Sequence, residues 1–227
     1  MSIDWIFRHR PETLDELAFY PNQRQYLNKC YEVNDYGHLL FSGSWGTGKT
    51  TVARILGERH PNTMIEIDCT MHNTHSALQK VIKGSFAVTL GGGKRIIIMD
   101  EFHTIKTDVQ SMLNKPMEDY YQNTIYILCV NQLDKVNPSV ARRCHRLKFD
   151  IGVLHPKTNK IVFHKHFDYK KDEWIKELKR ITNIVADKAG VKIKDKTYNR
   201  VVSNDAYLLS CSEFIRAVNQ QYEMDAT

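Results

Sequence analysis

The stretch "GSWGTGKTT", residues 43–51, decides the fold. It follows the apolar run "HLLF" and precedes "VARILGERH", so Gly43, Gly48, Lys49 and Thr50 spell G-x-x-x-x-G-K-T between a strand and a helix. Glycines let such a loop wrap closely, so that successive backbone N–H groups point into one concavity. The helix that follows presents its positive end to the same place. The pattern predicts a loop that cradles a nucleoside triphosphate, with Gly46, Thr47, Gly48 and Thr51 around the phosphates. Lys49 reaches the β- and γ-phosphates, and the Thr50 hydroxyl ligates Mg²⁺.

Outward from this loop, strand-like runs recur through the first 150 residues: "GHLLFS" (37–42), "TMIEID" (63–68), "RIIIMD" (95–100), "NTIYILCV" (123–130) and "HRLKFD" (145–150). Several are nearly continuous apolar runs, as expected of parallel strands buried on both faces. Helical stretches at 50–59, 74–83, 105–119 and 138–143 lie between them. The alternation predicts an α/β fold with a doubly wound, five-stranded parallel sheet.

A second acidic motif falls in register with the first. "IIIMDE" is an apolar strand ending in Asp100 and Glu101. A carboxylate there holds Mg²⁺, usually through water, and the adjacent Glu101 is placed to polarise a water for attack on the γ-phosphate. Small-molecule kinases often lack that second acid, so Glu101 favours an ATPase. Asn131, just beyond "YILCV", stands where a polar side chain orients the same water; alone it would read as a turn asparagine.

After Asp150 the character changes. "GVLHPKTNKIVFHKH" reads as a β-hairpin around "PKTNK". Trp174, Leu178, Ile181, Val185 and Ala189 then recur at helical spacing, with Gly190 as the stop. "KTYNRVVSNDAYLLS" and "SEFIRAVNQQYEM" read as two further helices. The C-terminal third is thus a small, mainly helical domain over 152–227, following an ATPase domain over 1–151. Residues 151–200 hold 13 Lys and Arg against 6 Asp and Glu, the composition of a solvated helical surface.

The 227-residue chain carries a net charge of +6, which suits contact with a polyanion but is ordinary for this size. No run approaches the ~18 apolar residues that span a bilayer, and "MSIDWIFRHRP" is charged where an export signal would be apolar. Five scattered cysteines with no C-x-x-C pair fit neither a zinc ribbon nor a disulfide framework, and point to a reducing cytoplasm.

Together these motifs resemble the AAA+ P-loop ATPases, and the flanking residues resemble DNA polymerase sliding-clamp loaders. "WIFRHRPETLDEL" is similar to the loader signature K-Y-R-P-x-T-h-D-E-h. "MDEFH" stands where the family has D-E-A-D or D-E-F-D. "VNPSVARRCHRLKF" is similar to P-h-Q-S-R-C-x-x-h-x-F, which carries the arginine finger. "GTGKTTVAR" and "KAGVKIKD" resemble the small ATPase subunit of T4-like phage loaders, and the same likeness extends to replication factor C small subunits.

The resemblance implies that Ile6, Phe7, Arg8, His9, Pro11 and Ala18 pack about the adenine, under a helical lid. It implies that Arg143 is the finger acting on a neighbouring subunit's ATP. The implied partners are the other loader subunits, a ring-shaped clamp and primer–template DNA, with no membrane, in the cytoplasm of a bacterium and as a phage protein. DNA would be gripped by helices after the second and third strands, on which Lys80, Lys83, Lys106 and Lys115 are expected. The chain departs from the pattern in places. His9 replaces a tyrosine, and Arg142 stands where the serine of S-R-C should be. Ile215 falls where the sensor helix D-F-R-K has its arginine, with Arg216 one place later, so either that helix is rotated or the sensor is lacking. The hairpin near 153–165 is an insertion, and a third, collar domain has no counterpart before Thr227. Two other classes stay open: another AAA+ DNA-acting ATPase, such as a helicase loader or branch-migration motor, and a non-hydrolysing scaffold subunit. Intact Lys49, Asp100 and Glu101 argue against the last.

Overall fold

A computed structural model describes residues 5–33, 35–60, 63–85, 94–154, 156–158, 160–163 and 170–226. They form two compact units, one of Asn28–Gly43 with Lys49–Phe149, the other of Met1–Leu27, Ser44–Gly48 and Asp150–Thr227.

The first unit is built on five parallel strands: β1 (Leu39–Ser42), β2 (Met64–Asp68), β3 (Arg95–Asp100), β4 (Thr124–Val130) and β5 (His145–Lys148). Their spatial order is β2-β3-β4-β1-β5. Position in the sheet explains composition. All seven residues of β4 and all four of β1 are buried, so both faces must be apolar, whereas edge strands β2 and β5 each bury one residue. Around the sheet lie α3 (Lys49–Gly57), α4 (His75–Ser85), α5 (Thr107–Gln110), α6 (Asn114–Asp119) and α7 (Pro138–Arg142). One apolar cluster joins Leu40, Ile97, Leu128 and Val130 of the sheet to Leu78, Leu113, Met117 and Val140.

The expected helix 105–119 is a composite. It begins at Thr107, and a 3-10 turn, Ser111–Leu113, separates α5 from α6. Pro116 supplies the reason: it has no N–H for the carbonyl four residues back, so the chain tightens there. Helix α2 (Pro21–Val33) is not expected from the sequence; its polar face is broad and Gln23, Leu27 and Cys30 are its buried residues.

In the second unit, α1 (Trp5–Arg8), α8 (Lys171–Lys188), α9 (Asp195–Val202) and α10 (Cys211–Ala226) share a core of Trp5, Trp174, Leu178, Ile181, Val185, Tyr198 and Phe214. The stripe from Trp174 to Val185 is the one expected from spacing. Gly190 takes φ +74°, its N–H bonds Asp187 O at 3.0 Å, and the Val191 N–H bonds Ala186 O at 3.0 Å. This double closure demands a left-handed residue, which glycine adopts freely. The hairpin exists as β6 (Gly152–Leu154) paired antiparallel with β7 (Ile161–Phe163); residues 155, 159 and 164–169 fall outside the described ones. All five cysteines are free, and burial pushes the thiols of Cys69 and Cys144 up to about 12.

One buried imidazole ties layers of the first unit together. His38 Nε2 lies 2.9 Å from Met117 O, and its Nδ1 accepts the Tyr126 N–H at 3.1 Å. That pattern needs a neutral ring, and burial holds its pKa below the ordinary histidine value. A depressed folded pKa means the stabilisation is complete above roughly pH 6.5 and is lost as pH falls through the folded value. Urea midpoints of the wild type should therefore fall below about pH 6.5 more steeply than those of His38→Gln.

Candidate active site

Parallel strands deliver their carboxyl ends to one side of the sheet, and in open α/β sheets that edge, where strand order reverses, is where ligands bind. β3, β4 and β1 are adjacent. Their ends release Glu101, Asn131 and the loop 43–48 respectively.

Gly46 and Gly48 have φ of +72° and +95°. A side chain at Gly46 would lie 2.0 Å from Ser212 Oγ, and one at Gly48 would meet Leu17 at 3.3 Å. The loop is fastened by its own unit: Ser210 Oγ donates to Gly46 O at 3.0 Å, and Ser44 N–H donates to Asp150 Oδ1 at 2.7 Å. Thr47 Oγ1 donates to Ser44 O at 2.8 Å.

Helix α3 begins at Lys49. Its ammonium is buried and donates to Gly43 O at 2.8 Å. One residue on, Thr50 Oγ1 lies 3.1 and 3.0 Å from the two Asp100 carboxylate oxygens, and Thr51 follows half-buried. A hydroxyl and a carboxylate are hard oxygen donors, the set that suits Mg²⁺ sharing its remaining positions with water and phosphate. The residues present fit that ion.

Glu101 has φ +52°, the one positive value of a non-glycine among the described residues. Left-handed backbone costs a non-glycine residue about 1 kcal/mol or more. The strained turn aims Glu101 along β4's end, where Asn131 Nδ2 donates to both carboxylate oxygens at 2.8 Å. The predicted acid and the predicted polar orienter are thus in direct contact. His103 Nδ1 stands 3.4 Å from Glu101 Oε2.

Arg143 caps the end of α7, whose start is fixed by Asn137 accepting the Ser139 N–H at 2.9 Å, with Pro138 at the first helical position. Its guanidinium donates to Ser139 O at 2.7 Å and pairs with Glu118, while Nε is buried with no hydrogen-bond partner. Arg142 is exposed.

Helix α10 puts the two residues of the sensor pattern in different surroundings. Ile215 is in the helical core, and Arg216 is exposed. Arg216 follows Ser212 by four residues, so the two share a face, the face that Ser212 turns to Gly46. Asn219 continues that stripe and is buried. It lines a cavity of about 390 Å³ together with Trp5, Arg8, His9 and Tyr222. Ala18 packs on the same core and Pro11 is half-buried, whereas the side chains of Ile6 and Phe7 lie outside the described residues. Lys80, Lys83, Lys106 and Lys115 are all exposed. Lys80 and Lys83 lie on α4 and Lys115 on α6, but Lys106 precedes α5 as its cap instead of lying in a helix, because the helix starts one residue later.

Gln110 escaped the sequence reading. Fully buried, it donates to Ile105 O at 2.7 Å and Lys135 O at 3.0 Å, and accepts the Asn137 N–H at 2.7 Å. One amide thereby joins the segment after Glu101, the segment after Asn131 and the cap of the Arg143 helix. Nothing in a lone glutamine of an amphipathic stretch signals this.

Fold and site together define a phosphate-loop NTPase with paired strand-end acids. The family model for the "ATPase family associated with various cellular activities (AAA)" matches residues 39–153, and the chain belongs to that family. Replication factor C subunit 3 of Blastobotrys adeninivorans is 33% identical over 156 residues, 65% of this chain and 46% of the relative. A replication factor C small subunit of Natronomonas pharaonis is 30% identical over 151 residues, 64% of this chain and 46% of the relative. The chain spans about half the length of the curated relatives it matches. Among solved structures, Thermotoga maritima RuvB superposes with a TM-score of 0.71 at 19% identity, covering 96% of this chain and 66% of the other, a likeness of fold. No described helix is long and apolar enough to cross a membrane.

Gln110→Ala removes the partner of three backbone groups, one buried and two part-buried; a fully buried one costs about 1–3 kcal/mol when left unsatisfied. Water will reach some of them. Urea denaturation should show a loss of roughly 2–4 kcal/mol.

Proposed function

We propose that this chain is the ATP-hydrolysing part of a sliding-clamp loader subunit, which opens a ring-shaped clamp and places it on primer–template DNA. The observation that carries the reading is the cluster of Lys49, Thr50, Asp100, Glu101 and Asn131 at neighbouring strand ends. The likeness to replication factor C subunits supports the assignment to a loader.

In this reading Lys49 and the N–H groups of the loop bind the triphosphate. Thr50 and Asp100 hold Mg²⁺, which when bound neutralises charge on the phosphate oxygens. Glu101 accepts the proton of the attacking water, and Asn131 orients it. The base end of ATP takes the cavity at Arg8 and His9. Asn219 lies seven residues along α10 from Ser212, roughly 10 Å at 1.5 Å per residue, a span that suits the distance from phosphates to base. Arg216, on the same stripe, is assigned to the phosphates in this reading. The functional division is an ATPase domain over 1–151 and a lid over 152–227, with the hairpin as an insertion.

Arg143 leaves Glu118 to reach a neighbouring subunit's γ-phosphate. Fingers supplied in trans are worth about 10³–10⁵ in turnover, so a lone chain is a poor ATPase. ATPase rate should rise when clamp, partner subunits and primed DNA are added together. Stimulation by DNA alone, with no effect of clamp, would favour a helicase loader or branch-migration motor instead. In the assembly, Arg143→Ala should lower turnover about a thousandfold while the isolated chain keeps its ATP affinity. Arg142→Ala serves as the control, and an equal loss for both would reassign the finger.

DNA contact in this reading is electrostatic and indifferent to sequence, through Lys80, Lys83, Lys106 and Lys115. Replacing both Lys80 and Lys83 by alanine should flatten the slope of log K against log salt by about two, one per phosphate contact. An unchanged slope and affinity would turn attention to the basic stretch after Asp150.

A further inference from the structure

Beside the Glu101 carboxylate lies an imidazole to which the mechanism above gives no task. His103 sits in the 3-10 turn Phe102–Thr104 with its side chain 10% exposed. Its Nδ1 is 3.4 Å from Glu101 Oε2 and 3.5 Å from the backbone N of Asn131. Both separations exceed the ordinary span of about 2.7–3.2 Å, so the nitrogen stands between two partners and is committed to neither. It can serve only one at a time. Carrying a proton, Nδ1 donates to the carboxylate; without one, it accepts the Asn131 N–H.

The backbone on which Glu101 rides is fixed. Glu101 O accepts both the Thr104 N–H at 2.9 Å and the Thr104 hydroxyl at 2.8 Å, and the Glu101 N–H is held by Asp100 Oδ1 at 3.1 Å. What turns is therefore the side chain. Its carboxylate now rests on the Asn131 amide, the group that the mechanism needs for the attacking water. If that amide turned to substrate with nothing in its place, the carboxylate would be left without a directing donor. The family patterns quoted above carry a carboxylate at this position, which when ionised cannot donate; an imidazole can.

We propose that His103 is a positioning residue for Glu101: it takes over the carboxylate through Nδ1–H when the Asn131 amide is drawn toward the γ-phosphate, and so fixes the direction of the base. The inference rests on the nucleotide reading of this site. The hand-over breaks the ring's Nε2–H bond and forms an Nδ1–H bond, one proton leaving to water at Nε2 and another taken from water at Nδ1, while the carboxylate changes donor.

The first test needs no nucleotide. In ¹⁵N-histidine spectra of the full chain at fixed pH, Asn131→Ala should shift the His103 signals toward the Nδ1-protonated tautomer. Unchanged His103 signals in a folded Asn131→Ala protein would overturn the proposal. The second test is single-turnover hydrolysis by the assembly, with protein in excess over Mg·ATP, and ATP affinity measured alongside. His103→Ala should lower turnover about tenfold at unchanged affinity, and His103→Asn, whose amide can donate from a similar place, should restore it to within about threefold. Equal turnover in all three proteins, or losses that track melting temperature with no rescue by asparagine, would show that the ring only packs. Failure of the wild type to bind ATP would instead remove the nucleotide reading, while the tautomer measurement would still decide the hand-over.

Discussion

Burial of the central strand on both faces is the constraint from which the rest follows. β4 keeps all seven residues out of water, so its backbone groups must be paired along both edges, by β3 on one side and β1 on the other. Because all three run parallel, their carboxyl ends share one edge of the sheet. Gly43, Glu101 and Asn131, just past the ends of β1, β3 and β4, are brought to one edge by that pairing, with no need for the segments to be close in sequence. The core thus supplies both stability and the registration that chemistry requires.

Around this frame, polar side chains buried between layers act as fixed links. His38 spans β1's approach, α6 and β4 through two backbone groups, and Gln110 spans three segments on the other side of the cluster. Such groups are tolerated in an apolar interior only when each donor and acceptor is met, and removing one partner costs more than the bond itself contributes. The linked segments are therefore held to one another by buried bonds. The arginine-bearing helix α7 is capped by a residue, Asn137, whose own N–H is held by Gln110. This gives the segments after the two strand ends a rigid connection to Arg143.

What could be read from the sequence was what periodicity and spacing encode. Strand-like runs located all five strands, although those of β2 and β5 are not continuously apolar, and the glycine loop and strand-end acids marked the edge where Lys49, Asp100 and Glu101 lie. Contacts made at a distance left no such mark. The grip of Asn131 on Glu101, the left-handed turn at Glu101 and the links through His38 and Gln110 depend on which strands become neighbours, and a single chain's pattern does not state that order. The apolar stripe of helix α2 is too narrow to mark it in the sequence, and Pro116 breaks a run whose spacing alone predicts one straight helix from residue 105. The departure at Ile215 became intelligible once its burial was seen: the residue serves the helical core, and the face toward the loop carries Arg216.

The aromatic residue in the phosphate loop has a consequence of a different kind. The chain has three tryptophans; Trp5 and Trp174 are 3% and 4% exposed, while Trp45 is 74% exposed. A soluble collisional quencher reaches an indole only through solvent. Acrylamide will therefore extinguish the emission of Trp45 long before that of the other two, and the quenchable fraction becomes an optical gauge of the loop. Events that cover residues 44–48 will register as shielding in unlabelled protein, without a change elsewhere in the spectrum.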